Sequence, residues 1–283
     1  MKTESIMGRE FTSFPGTSYI APCDSREQRR LDLQHKVWKR AMGDHLLCDP
    51  IQVKPGDRIL DVGCGTGIWL SDLAKELPST VELMGVDIES AMFPKSQPEN
   101  IHFKVASVTA LPSSWMNRFS IVHQRLLRLA LRQQEWKLAM KELSRVTAPS
   151  GWVQLVEFSS FHAGPTVKKY HSLLSALLVH RGMVALGEDP SEAMEDAGFV
   201  DVRTLRASYQ VGKWAGQNGI EANITVIEGF KALKAAVINA GGLGYVTNGE
   251  EYDKLVDETE REFDSTPGAS VEFLVSCGRK IAC

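Results

Sequence analysis

Arg58-Ile-Leu-Asp-Val-Gly-Cys-Gly-Thr-Gly67 is the stretch from which the rest of the chain is read. Arg58 to Val62 has the β-branched and aliphatic character of a short buried strand, and the turn signal Pro55-Gly56-Asp57 opens it. Gly63, Gly65 and Gly67 follow at alternate positions, and Ile68 to Ala74 has helical spacing. Strand, glycine turn and helix form the first half of a nucleotide-binding βαβ unit. Glycine suits the turn, which needs unusual backbone angles and lets the main chain approach a ligand closely. Val81 to Val86 reads as the second strand, with Asp87 at its carboxyl end. An acid about 20 positions past the glycines is placed to hold the two hydroxyls of a ribose.

The details around the glycines choose the ligand. The dinucleotide fingerprint G-x-G-x-x-G fails, because Ile68 stands where the third glycine belongs. The phosphate-cradling loop fails too, since no Gly-Lys-Ser/Thr follows. Asp61 lies two residues before the first glycine. A carboxylate repels a pyrophosphate and attracts an ammonium group. The ligand that fits is an adenosine with a cationic amino-acid tail, S-adenosyl-L-methionine.

With these residues in place, the chain resembles the class I S-adenosylmethionine-dependent methyltransferases. Asp61-Val-Gly-Cys-Gly-Thr-Gly67 is similar to the family's first motif and Val86-Asp87 to its ribose-binding acid. Pro149-Ser-Gly-Trp-Val-Gln-Leu-Val-Glu157 looks like the family's fifth strand, with Ser150 replacing one glycine of its entry turn. Arg30-Leu-Asp-Leu-Gln-His35, with Tyr19 upstream, is similar to the N-terminal segment of fungal methyltransferases of secondary metabolism, a group that includes the LaeA-like regulators. Phe119-Ser-Ile-Val-His-Gln-Arg125 fits that group's fourth strand, with Ser120 in place of its usual aspartate. The family commonly has an aspartate near Ser107 that accepts a hydrogen bond from the adenine amino group, and a serine hydroxyl accepts a weaker one. The resemblance implies a cofactor site of Tyr19, His35, Asp61, Gly63, Cys64, Gly65, Asp87, Ile88, Ser107, Val108, His123 and Gln124, without a metal. His123 is expected to contact the cofactor. His162, His171 and His180 are weaker candidates for a base, and no catalytic residue is assigned.

Composition bounds the rest. The chain has 283 residues, 43% apolar and 24% charged, enough for one large α/β domain with additions. A net charge of −3 gives no basic footprint, so no nucleic-acid partner is expected. Five scattered cysteines without a C-x-x-C pair read as reduced thiols of a cytosolic protein, with the nucleus as the alternative. No signal-peptide stretch or run of membrane-spanning length is present, so no membrane partner is expected.

In order, residues 1–24 read as a loosely ordered lead-in and residues 25–283 as a single methyltransferase domain. A helix over 25–48 is expected from the stripe Leu31, His35, Trp38, Met42 and His45, and it is read as a lid with Gln34 and His35 over the cofactor's methionine end. Further helices are expected over 133–147, 165–183, 219–239 and 250–263, and strands over 152–158, 200–211 and 269–276. Such alternation requires a doubly wound, mostly parallel sheet, and the resemblance gives it seven strands with the last antiparallel. Segments near 160–188 and 212–248 are extra to the minimal fold and are read as a roof over the site. Three functions stay open: methyl transfer to the O or N of a small secondary metabolite, regulation through partners in the LaeA-like manner, and a non-methylating reaction on the same fold. Fold alone does not separate them.

Overall fold

Strands and helices alternate from residue 25 onward in the computed structural model, which describes residues 2–6, 8–13 and 21–282. A hairpin of β1 (Lys2–Ile6) and β2 (Arg9–Ser13) precedes α1 (Ser25–Ala41). Then come β3 (Arg58–Val62), α2 (Ile68–Leu73), β4 (Glu82–Asp87), β5 (Ile101–Val105), β6 (Phe119–Arg125), α3 (Gln133–Val146) and β7 (Thr147–His162). The second half holds α4 (Pro165–His180), α5 (Ser191–Asp196), β8 (Phe199–Gln210), α6 (Gly216–Ala232), α7 (Lys234–Asn239), α8 (Gly249–Ser265) and β9 (Ser270–Lys280). The sheet order is β5-β4-β3-β6-β7-β9-β8. The neighbours β5, β4, β3, β6 and β7 pair in parallel, and β9 is antiparallel to both its neighbours.

Both sheet faces are covered, which is why the central strands are apolar throughout. Ile59, Ile121, Leu83 and Phe273 pack against Trp38 of α1 and Trp69 and Leu70 of α2. Leu60, Val62, Val122 and Leu155 pack on the opposite face against Trp136, Met140 and Leu143 of α3. Each fully buried aliphatic side chain in these layers contributes roughly 1.5–3 kcal/mol. A third cluster, Tyr170, Leu173, Val226, Phe230, Tyr252 and Phe263, unites α4, α6 and α8 beyond the carboxyl ends of the strands. Glu262 of α8 fastens this layer by accepting the backbone N–H groups of Thr166 and Val167 at the start of α4, at 3.2 and 2.6 Å. Pro165 at the first turn of α4 loses no bond there.

Several boundaries differ from the sequence reading. Helix α1 is capped by Asp24, which accepts from the Glu27 N–H at 3.0 Å, but it stops at Ala41 instead of continuing to Cys48. Gly43 at φ +65° ends it, so His45 leaves the stripe and is exposed. The expected helix over 219–239 is two, broken at Leu233. Strand β7 runs well beyond 152–158, because β9 pairs with it from Trp152 to His162. The lead-in carries the β1–β2 hairpin, and Arg9 forms an ion pair with Asp24 at 2.5 Å. Among the described residues no helix is long and apolar enough to cross a membrane.

Candidate active site

A cavity of about 810 Å³ lies over the carboxyl ends of β3, β4, β5, β6 and β7 and under α1 and α6. One end is the glycine turn. Gly63, Gly65 and Gly67 all have positive φ, and the Gly63 and Cys64 N–H groups donate to the Val86 carbonyl at 2.8 and 3.0 Å. The turn is tightly packed as well: a Cβ built on Gly63 would lie 2.6 Å from Leu127 Cδ2, and one on Gly67 2.5 Å from Phe103 Cζ. Only glycine satisfies both the angle and the space at these positions.

Asp87 closes the other side of the turn. Its carboxylate accepts the Gly65 N–H at 2.8 Å and the Glu89 N–H at 3.0 Å. Burial pushes its pKa up to about 6, against the lowering effect of those bonds. A carboxylate offers about four acceptor sites, so it keeps acceptor capacity for a ribose hydroxyl beyond its backbone partners. Ile88, Ser107 and Val108 line the same end. Ser107 Oγ is shared with Thr109, at 2.8 Å from its hydroxyl and 3.2 Å from its N–H.

Asp61 and His123 face one another across β3 and β6, where the register pairs them directly. His123 Nδ1 donates to Asp61 Oδ1 at 2.8 Å, and both side chains are buried. The Trp69 indole stacks on the imidazole, with ring centroids 4.0 Å apart and planes 3° from parallel. Burial lowers the His123 pKa despite Asp61, so the ring is neutral near pH 7 and its Nε2 lone pair has no partner. The second Asp61 oxygen and this lone pair both suit an ammonium donor.

Two expected cofactor residues stand elsewhere. His35 is buried beneath α1 instead of over the cavity. Its Nε2–H donates to Asp72 Oδ2 at 3.1 Å and its Nδ1 accepts from Arg125 Nη1 at 3.2 Å, so both nitrogens are spent on packing α1 to α2 and β6. Burial and Arg125 pull its pKa down to about 4. Gln34, one position along, is the residue that lines the cavity. Gln124 also fails to reach it, since alternation along β6 turns its side chain to the face opposite His123. Tyr19 lies outside the described residues.

The structure adds Glu27, which motif reading passed over. Glu27 and Arg30, the latter part of the N-terminal motif, pair at 2.6 Å and hang from α1 into the cavity, and Leu31 lies against the glycine turn. Thr66 Oγ1 donates to Asp32 Oδ1 at 2.7 Å, tying α1 to that turn. Glu89 lines the ribose side with its Oε2 unpartnered. At the far end Phe158, Phe161, Leu174, Leu186, Phe230 and Leu233 form an apolar chamber, and Arg128 and Glu157 are among the charged groups of the lining. Among the described residues no cluster of His, Cys, Asp or Glu is arranged to hold a metal ion.

Comparison with known proteins agrees with this geometry. Residues 59–151 match the family model of a methyltransferase domain, covering β3 through the start of β7. The chain is 32% identical over 218 residues to the N-methyltransferase sirN of Leptosphaeria maculans, spanning 75% of this chain and 69% of that protein. It is 32% identical over 265 residues to the N-methyltransferase tcpN of Claviceps purpurea, spanning 90% of this chain and 94% of that protein. This chain belongs to the class I S-adenosylmethionine-dependent methyltransferases. The fold also matches the Haemonchus contortus phosphoethanolamine N-methyltransferase 2 bound to S-adenosylhomocysteine, at a TM-score of 0.50 and 16% identity. That match covers 93% of this methyltransferase and 54% of the nematode chain. The cofactor of the methyltransferase is S-adenosylmethionine, and the residues present fit it. Asp87 has free acceptor sites, three glycines leave room for close approach, and the buried His123 Nε2 lacks a donor.

Proposed function

We propose that the methyltransferase methylates a nitrogen of a small, mainly apolar molecule held in the aromatic chamber beneath α1 and α6. The carrying observation is that one cavity joins the glycine turn and Asp87 to Phe158, Phe161 and Phe230. The names of the two fungal relatives, both N-methyltransferases, support nitrogen over oxygen.

S-adenosylmethionine supplies an activated methyl on a sulfonium, so the protein's work is alignment and the exclusion of water. Alignment of this kind contributes roughly 7–11 kcal/mol to lowering a barrier. Asp87 and the glycine turn hold the nucleoside, Ser107 and Val108 flank the adenine, and Asp61 with His123 receives the amino group of the tail. Helix α1 serves as the lid, with Gln34 and Leu31 as its cavity-facing side. Both ends of α1 are clasped to α6, by Arg26–Glu228 and by Arg40–Glu221, so the cofactor lid and the acceptor roof form one cover.

The test is incubation with S-adenosylmethionine carrying a labelled methyl group and a panel of small N-, O- and S-nucleophiles, read by mass spectrometry. Label on nitrogen compounds with matching S-adenosylhomocysteine is expected. Label confined to oxygen or sulfur would overturn the assignment of the acceptor atom. Conversion of a substrate with the cofactor unconsumed would move the chain to a non-methylating reaction.

A further inference from the structure

Glu157 terminates the apolar run Val153-Gln-Leu-Val156 on β7, one residue past the Arg125↔Val156 pairing. Its side chain is 1% exposed and lines the cavity, as do Arg128, Phe158, Phe161 and Leu186. Its Oε1 accepts the Leu127 N–H at 3.0 Å and its Oε2 the Arg128 N–H at 3.2 Å. Those bonds use two of about four acceptor sites. The neighbouring cation, Arg128, forms a long ion pair with Glu157 but donates no side-chain hydrogen bond to it. Arg128 commits its two Nη groups to the Ala185 and Glu188 carbonyls, and its Nε stays 3.9 Å from Glu157. A buried carboxylate with spare lone pairs beside an apolar chamber, paired with a cation only at 3.9 Å, has its desolvation cost offset in part and gains further from a donor that reaches it.

Its position relates it to the cofactor end through a single residue. The Leu127 side chain lies on Gly63 while the Leu127 N–H is held by Glu157. Neighbouring strands are about 4.8 Å apart, so two spacings put Glu157 roughly 10 Å across the sheet from the glycine turn. A donor at Glu157 therefore sits on the acceptor's side of the cavity.

Building on the nitrogen acceptor proposed above, we infer that Glu157 is a catalytic residue that binds the acceptor's N–H and takes its proton. The acceptor is then a neutral nitrogen bearing a hydrogen, set on a flat or apolar frame between Phe158, Phe161 and Phe230. In the step, the nitrogen lone pair forms the bond to the methyl carbon as the carbon–sulfur bond breaks with its electron pair going to sulfur. The nitrogen's proton passes to a Glu157 oxygen and from there to solvent. Burial pushes the Glu157 pKa up to about 7, which suits a group that must accept and then release a proton near neutrality.

The experiment uses the full chain saturated with S-adenosylhomocysteine and two isomeric probes, 3-methylindole, which has an N–H, and 1-methylindole, which does not. They match in size and apolarity, so calorimetry reads the donor alone. The wild type is expected to bind 3-methylindole roughly ten- to a hundredfold more tightly, the range of one hydrogen bond to a charged acceptor. Glu157→Gln should shrink that preference while keeping its affinity for S-adenosylhomocysteine. If Glu157→Gln does not fold, Glu157→Asp keeps the buried charge but draws it back by one methylene, and the preference should fall there too. Equal binding of the isomers by the wild type, binding of neither, or an unchanged preference in the variants would overturn the role of Glu157. Failure to bind S-adenosylhomocysteine in the loading step would instead sink the methyl-transfer reading on which the inference rests.

Discussion

Asp87 gives the sharpest quantitative prediction, because one carboxylate both braces the glycine turn and is the group proposed to hold the ribose. In the free protein its pKa is raised to about 6, so the folded state favours the protonated form relative to an ordinary aspartate. Ribose hydroxyls donate to the ionised form, so binding pulls the pKa back down. Affinity is therefore near its maximum by pH 7, about half of that at pH 6, and falls further below it. About one molecule in eleven is ionised at pH 5, and nearly all are at pH 7. The dissociation constant for S-adenosylhomocysteine should then be about tenfold larger at pH 5 than at pH 7. Asp87→Asn exchanges two charge-assisted hydrogen bonds for neutral ones. That is a loss of roughly 2–3 kcal/mol, or about thirty- to 150-fold in affinity. Calorimetry on both proteins at half-unit steps from pH 5 to 8 checks both numbers, and the variant should lose the break near pH 6. A wild-type profile that is flat through pH 6, or a variant with wild-type affinity, would refute the assignment of the ribose to Asp87.

Gly63→Ala forces a Cβ into the Leu127 side chain at a positive φ, so stability should fall by about 1–3 kcal/mol and S-adenosylhomocysteine affinity should fall with it; urea unfolding and calorimetry measure these. His35 has a folded pKa near 4, below its unfolded value near 6.5, so the unfolded chain binds more protons between those limits and stability drops as pH falls across them. Its contribution should be about 2 kcal/mol smaller at pH 5 than at pH 7.5, read as the difference between wild type and His35→Phe in denaturant titrations. Hydrogen exchange with and without S-adenosylhomocysteine should show new protection in residues 25–34 of α1 and little change over 35–41. The latter half is already held by Lys39 to Asp72 at 3.0 Å and to Glu76 at 2.9 Å, contacts that need no ligand.

The glycine-turn end of the candidate site was largely legible in the sequence, because it is local. Arg58–Val62, the three glycines and Asp87 lie within one βαβ unit, and strict backbone requirements leave a strong pattern there. The misreadings came from facing. His35 and Gln34 are adjacent on α1, and a helical stripe does not say which neighbour meets the cavity and which meets Asp72. Gln124 was read from its motif, whereas strand alternation turns it away from His123. The Asp61–His123 bond joins residues 62 apart, and it follows only once the parallel register of β3 and β6 is known. The acceptor chamber draws on β7, α4 and α6, segments whose meeting no spacing rule encodes. Glu157 had a usable signal in its position at the carboxyl end of a central strand, where sites in open α/β sheets gather.

The most direct test of the account is a crystal structure of the full chain with S-adenosylhomocysteine. The ribose is expected on Asp87, the adenine beside Ser107 and Val108, the amino group at Asp61 and the His123 Nε2, and the sulfur facing the chamber of Phe158, Phe161 and Phe230. A ligand with its ribose away from Asp87, or with its sulfur turned away from that chamber, would contradict it.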